Sequence, residues 1–315
     1  DAEAEGRATL IPWPWPMLTR HARSLLPGKV CVLAGSPGGA KSWLVLASLL
    51  HWIGAGIRVA MLALEEQWEW HGRRAMAHLD GNPCLLDGEW VRANPDDARE
   101  SAGRHGELLD ALGRATTCRG NVTLADVAQW IEDRCQAGVR VLVVDPVTLA
   151  LPGTERNAWD ADARFIARAK AAAESSGTSL VLVTHPRKAP AGKSGVFGLD
   201  DLAGGAVYQR AAASVLWLEN LATPALMPVE RPDGSTGLAT THKIVRLIKT
   251  RDGAGVGQSI AFAFQALRFG ELGRIIDGSD LGPVAARPKR SARIAASPVA
   301  DEDAFDAAPR AAGDR

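Results

Sequence analysis

The sequence holds a single tyrosine, four cysteines and no net charge, with 36 Lys and Arg balancing 36 Asp and Glu over 315 residues. A zero balance removes the long-range attraction of a chain that coats nucleic acid over its whole surface, and leaves only a local basic channel open. Cys31, Cys84, Cys118 and Cys135 form no C-x-x-C pair, and no histidine cluster accompanies them, which argues against a zinc site. They read as free thiols of a reducing compartment, so a cytoplasmic location is expected. No run of 18 apolar residues occurs, so no membrane-spanning helix is expected. The first residues lack the basic-then-apolar layout of a secretory leader. The chain opens on Asp1 rather than Met, which leaves a piece of a longer protein and a processed chain as readings.

What is present suits an ordinary globular chain: 46% of residues are hydrophobic and 23% charged. The length allows one large α/β domain plus tails. An N-terminal arm is expected over 1–24, where each Pro of Trp13-Pro14-Trp15-Pro16 keeps the preceding residue extended. Its two Trp rings are expected to pack on the domain or on a neighbouring subunit. The main domain is expected over 25–273. Buried strands are predicted at Val30–Ala34, Arg58–Leu64, Val139–Val144, Ser179–Thr184 and Ala213–Leu218. Helices are predicted at Lys41–Ile53, Glu66–Leu79, near Ala98–Leu112, from a Thr123 cap to Gln136, and at Ala158–Ser175. Gly192–Gly205 reads as a glycine-rich mobile loop. Pro224–Gly237 reads as a polar excursion with a hairpin tip at Asp233-Gly234, and Lys243–Lys249, Gln258–Ala263 and Ala266–Phe269 as closing strands. Residues 274–315 read as a disordered tail, basic at Arg287–Arg293 and acidic at Asp301–Asp306. The fold class is therefore α/β: a mostly parallel twisted sheet with helices on both faces and extra antiparallel strands at the C-terminal side.

Chemistry is expected at the carboxyl ends of the parallel strands. There the sequence places Gly35-Ser36-Pro37-Gly38-Gly39-Ala40-Lys41-Ser42, which fits G-x-x-x-x-G-K-[ST] except that Ala40 takes the second glycine's place. Backbone N–H groups of such a loop bind phosphate oxygens, Lys41 would neutralise the outer phosphates, and the Ser42 hydroxyl would ligate Mg²⁺. If position 40 needs a positive φ, Ala costs about 1–2 kcal/mol there, unless Gly38 and Gly39 supply the turn. The run Val141–Val144 delivers Asp145, a second Mg²⁺ candidate. The next residue is Pro146, so a catalytic Glu directly after the Asp, as in many AAA+-type ATPases, is not available. Glu65, after the run Leu62-Ala63-Leu64, is the expected general base, with Glu66 its rival. His185 ends the next strand and is expected to sense the outermost phosphate, a satisfied structural His being the alternative.

In order, these motifs resemble the RecA-like ATPase domain of hexameric replicative helicases, the DnaB/RepA group. They are the phosphate loop, strand-Glu65, Val-Val-Asp145, Val-Thr-His185-Pro-Arg187-Lys188, Asp200-Asp201-Leu202-Ala203-Gly204-Gly205 and Leu247-Ile248-Lys249-Thr250-Arg251. The resemblance covers residues 25–273. It implies a P-loop NTPase fold, ATP and Mg²⁺ as cofactors, a ring of subunits, single-stranded DNA as partner, and helicase activity in replication of a phage, plasmid or similar element. It implies that Lys41, Ser42, Glu65, Asp145 and His185 act on the chain's own nucleotide. Lys249 and Arg251 would reach the γ-phosphate of the adjacent subunit's nucleotide. Arg187, Lys188 and Lys193 would touch DNA, and Arg74 fits a basic position on the helix after Glu65. Ala203 departs from the group, which carries an Arg there. A RecA-like regulatory or recombination ATPase that switches a protein partner is the alternative reading.

Overall fold

Short apolar runs separated by amphipathic stretches become nine strands and eight α-helices among the described residues. The computed structural model describes residues 9–36, 38–155, 157–186, 198–203 and 205–278. The strands are β1 (Val30–Gly35), β2 (Val59–Ala63), β3 (Thr116–Cys118), β4 (Val141–Asp145), β5 (Ser179–Thr184), β6 (Ser214–Glu230), β7 (Thr236–Thr250), β8 (Ser259–Gln265) and β9 (Arg268–Ile275). The helices are α1 (Pro16–Ala22), α2 (Lys41–Gly54), α3 (Trp68–Asp80), α4 (Gly88–Ala93), α5 (Pro95–Ala115), α6 (Leu124–Gln136), α7 (Ala158–Ser176) and α8 (Gly205–Ala211).

One sheet runs in the order β3-β2-β4-β5-β1-β6-β7-β8-β9. Strands β3 to β6 in that order are parallel, and β7, β8 and β9 are antiparallel. The far end of β6 also pairs with β9, Val229 opposite Ile275, so the last four strands close on themselves. Side-chain alternation along β1 splits the core. Cys31 and Leu33 face a layer formed with α1, α2, α3 and α5. Val30, Val32 and Ala34 face a layer formed with α6, α7 and α8.

Local chemistry fixes several element ends. Thr123 accepts from the Asp126 backbone N–H, and Asp126 accepts from the Thr123 backbone N–H, a reciprocal capping box at α6. Asn157 caps α7 by accepting from the Asp160 N–H. Ile11, Trp13, Trp15, Met17, Leu18, Ala22 and Leu25 of the N-terminal segment belong to the core. Trp13 and Trp15 are buried, and their indole N–H groups donate to Ser24 Oγ at 2.8 Å and to the Phe269 carbonyl at 3.1 Å. The Glu271 carboxylate accepts from the N–H groups of Met17 and Leu18, which anchors α1 on β9.

The antiparallel strands differ most from expectation. β6 and β7 run far beyond 213–218 and 243–249 as a long ribbon, with a turn at Arg231–Ser235 around Gly234. Ala266 and Leu267 form the β8–β9 turn, both with positive φ, rather than the start of a strand. β3 has no counterpart among the expected strands. The predicted tail beyond 278 and half of Gly192–Gly205 lie outside the described residues.

Candidate active site

Four consecutive strands, β2-β4-β5-β1, end in polar groups on one side of the sheet. β1 leads into the phosphate loop, with Gly35 at the close approach of β6. A Cβ there would stand 2.5 Å from the Leu218 carbonyl oxygen. Gly38 and Ala40 both take left-handed backbone, Ala40 at φ 67°. The position that departs from the glycine pattern is therefore the one that needs positive φ; Gly38 and Gly39 do not relieve it, and the cost of about 1–2 kcal/mol applies. Gly39 N–H donates to the Ser36 carbonyl at 3.1 Å and closes the loop. Pro37 lies outside the described residues.

Lys41 is buried at 6% exposure, and its Nζ donates to the carbonyls of Gly35 and Ser36, both at 2.9 Å. Burial pulls its pKa down, and the charges of Asp145 and Glu65 oppose that pull. Asp145, at the end of β4, is also 6% exposed. Burial pushes its carboxyl up to about 6, against a hydrogen bond from Ser42 and the charge of Lys41, while Glu65 pushes it further up. Ala63 pairs with Asp145 across β2 and β4, and the next N–H, of Leu64, donates to the Asp145 carbonyl. Glu65 follows at once, exposed on the rim of the cleft. His185 follows Thr184, which pairs with Ala34 of β1. Burial and then Lys41 lower the His185 pKa, so its ring is neutral near pH 7.

These groups line one open cleft together with Gly38–Ser42. Its outer wall comes from α3. The Arg74 guanidinium lies between two indoles, 3.8 Å from the Trp70 ring and 4.8 Å from the Trp43 ring. His71 completes that wall. Helical spacing puts His71 and Arg74 on one face, but nothing in the residue pattern marks His71 as a cleft residue.

The donor set fits a nucleotide phosphate with Mg²⁺. The Ser42 hydroxyl stands near Asp145 and favours its charged carboxylate. The Thr184 hydroxyl and His185 Nδ1 are buried with no hydrogen-bond partner among the described residues. No group of three His, Cys, Asp or Glu side chains able to cage a metal occurs among the described residues.

Lys249 and Arg251 stand elsewhere. Lys249 pairs with Val215 near the start of β6, and the Arg251 N–H donates to the Ala213 carbonyl. Ala213 in turn donates to Val30, so Arg251 is level with the first residue of β1. Five strand residues, roughly 16 Å, separate that level from Gly35. Lys249 Nζ donates to the Gln209 carbonyl and Arg251 Nη2 to the Arg210 carbonyl, both at the end of α8. Arg187, Lys188 and Lys193 lie outside the described residues. The ends of their segment are adjacent: Pro186 bridges Leu202, and the Ala203 N–H donates to the His185 carbonyl.

A parallel sheet with a phosphate loop after its β1 strand, an acid at the end of β4 and an open cleft between them is the architecture of a nucleotide-phosphate-binding domain. The family described as AAA domain matches residues 18–191, more than half of the chain, and this chain belongs to that family. Its fold is the RecA-like ATPase fold. It is similar to a structure described as a DnaB-like replicative helicase and its interactions with primase, at TM-score 0.65 and 14% identity over 85% of this chain. The match spans 63% of that longer chain. It is also similar to a second solved structure, described as an ATPase domain, at TM-score 0.63 and 14% identity, over 85% of this chain and 93% of that one. No curated protein matches the sequence. No helix among the described residues is long and apolar enough to cross a membrane.

Proposed function

We propose that this chain is the motor domain of a ring-forming DNA helicase or translocase of a phage, plasmid or similar element, driven by hydrolysis of Mg²⁺-ATP. The observation that carries the reading is the convergence of Lys41, Ser42, Asp145, Glu65 and His185 on one cleft, from the ends of β2, β4 and β5 and the loop after β1. Lys41 exchanges its two loop carbonyls for phosphate oxygens, and the loop N–H groups bind the same phosphates. Ser42 and Asp145 hold Mg²⁺, which would neutralise charge on the transferring phosphoryl group. Glu65 accepts the proton of the attacking water. His185, neutral and one residue beyond β5, reports the outer phosphate to the segment that starts at Pro186. In that segment Arg187, Lys188 and Lys193 grip the single-stranded backbone.

Lys249 and Arg251 lie too far from the chain's own cleft to serve it, which supports their use on a neighbouring subunit's nucleotide. The test is ATP turnover with and without single-stranded DNA, for the wild type, Arg251→Ala, and mixtures of Arg251→Ala with Lys41→Ala. Stimulation by DNA, loss in Arg251→Ala and partial rescue in the mixture are expected. Wild-type turnover in Arg251→Ala would remove the shared site. Ala203, where the helicase group carries an Arg, favours a second reading as a regulatory or recombination ATPase. Turnover indifferent to DNA across a range of salt would select it.

A further inference from the structure

His71 lines the cleft, and the proposed chemistry does not use it. It lies on α3, is 5% exposed, and its Nε2 is buried with no hydrogen-bond partner among the described residues. A buried ring nitrogen without a partner costs about 1–3 kcal/mol, which a fold bears only if something offsets it. The ring is held edge-on by Trp70, 4.8 Å between centroids. Burial and the nearby Arg74 charge lower its pKa to about 4, so at neutral pH it offers one N–H donor and no charge. The same cleft holds Lys41 and the loop after β1, where a polyphosphate chain would lie.

We propose that His71 is a nucleotide-binding residue that donates a hydrogen bond from Nε2 to the terminal phosphoryl group of a bound nucleoside triphosphate. A diphosphate has no oxygen at that place, so His71 favours the triphosphate over the product. A neutral donor suits this task next to Lys41 and Arg74, because it adds a hydrogen bond without a third cation to desolvate. The inference rests on the nucleotide reading above.

The test is calorimetric titration of the full chain, with Mg²⁺, by a non-hydrolysable ATP analogue and by ADP. The proteins are the wild type, His71→Phe and His71→Gln. Phe keeps a ring against Trp70 and removes the donor; Gln restores a neutral donor. His71→Phe is expected to weaken the triphosphate analogue about tenfold or more and to leave ADP within about twofold. His71→Gln is expected to recover most of that loss. An unchanged triphosphate-to-diphosphate ratio in His71→Phe overturns the inference alone. So does an equal loss for both nucleotides in both variants, which marks a packing residue. A wild type that binds neither nucleotide overturns the ATP reading itself, and the inference with it.

Discussion

The two halves of the sheet use their strands differently. In the parallel half, β2, β4, β5 and β1 are short and buried on both faces, and they carry functional groups just past their carboxyl ends. In the antiparallel half, β6 and β7 are 17 and 15 residues long and only partly buried, and Lys249 and Arg251 sit near the opposite end. On the proposed reading, one half holds a nucleotide site within its own chain. The other presents groups outward from the same sheet. Continuous burial confines chemistry to strand ends, where backbone and side chains can turn toward a ligand. Partial burial lets a strand carry charge along its length.

Arg251→Ala draws the contrast most sharply. Turnover should fall about 10³-fold or more, as for arginine fingers that act across a subunit boundary. Nucleotide affinity of the isolated subunit should stay unchanged, because the residue lies at the other end of the sheet. Steady-state kinetics and calorimetry read the two effects separately. A large affinity loss in the monomer would place Arg251 in its own chain's site and erase the division between halves.

Phe262 tests whether the antiparallel half is structurally separate. It is fully buried on β8 between Trp15 and Phe269, with ring centroids 5.4 and 5.8 Å away. Phe262→Ala should cost about 3–5 kcal/mol in urea unfolding, in one transition. A cost below about 1 kcal/mol, or two transitions, would show an appended layer instead of one core.

The parallel half should carry the pH dependence. The Asp145 pKa is raised from the ordinary carboxylate value to about 6 on folding, so between about pH 4 and 6 the folded chain holds a proton that the unfolded chain has lost. Stability from this group is therefore lost as pH rises through that window, by about 2–3 kcal/mol, and is level above it. Subtracting the pH profile of Asp145→Asn isolates this contribution. Equal profiles would mean that Asp145 ionises as readily folded as unfolded.

The smallest effect is expected at the phosphate loop. Ala40→Gly removes a left-handed alanine but adds chain entropy to the unfolded state, for a net gain of about 0.5–1 kcal/mol. A loss of stability in thermal unfolding would show that Ala40 is not strained at its φ of 67°.

How much of this was legible in the sequence follows the same division. Val141–Asp145 and Ser179–Thr184 are apolar runs closed by turn signals, so the strand and its functional end are read together. The Thr123 cap is legible because its partner Asp126 lies three residues on. β6 is not. After Leu218 it alternates exposed and half-buried positions through Pro224 and Pro228, and its stability comes from β7 across the ribbon. The body of α5 is legible near Ala98–Leu112, but its ends at Pro95 and Ala115 are not, because only Ser101 and Leu112 of its 21 residues are buried. In the cleft, Lys41 and Asp145 are marked by motif. His71 is placed only by the rotation of α3, which no residue spacing encodes.

The roughly 16 Å between the level of Arg251 and the phosphate loop has a consequence for assembly. A subunit that accepts at one end of its sheet and donates from the other makes a head-to-tail contact, in which the two surfaces are different. Such contacts repeat under a single screw operation. They close into a ring when the rise per step is zero and the rotation divides a full turn, and otherwise climb into an open filament. β6 joins both ends, since it lies against Gly35 at one and pairs with Lys249 at the other. If Arg251 serves a neighbouring subunit as proposed, the coiling of that one strand would set the angle between acceptor and donor surfaces. A change of a few degrees along it would then alter the number of subunits before any residue in the cleft moved.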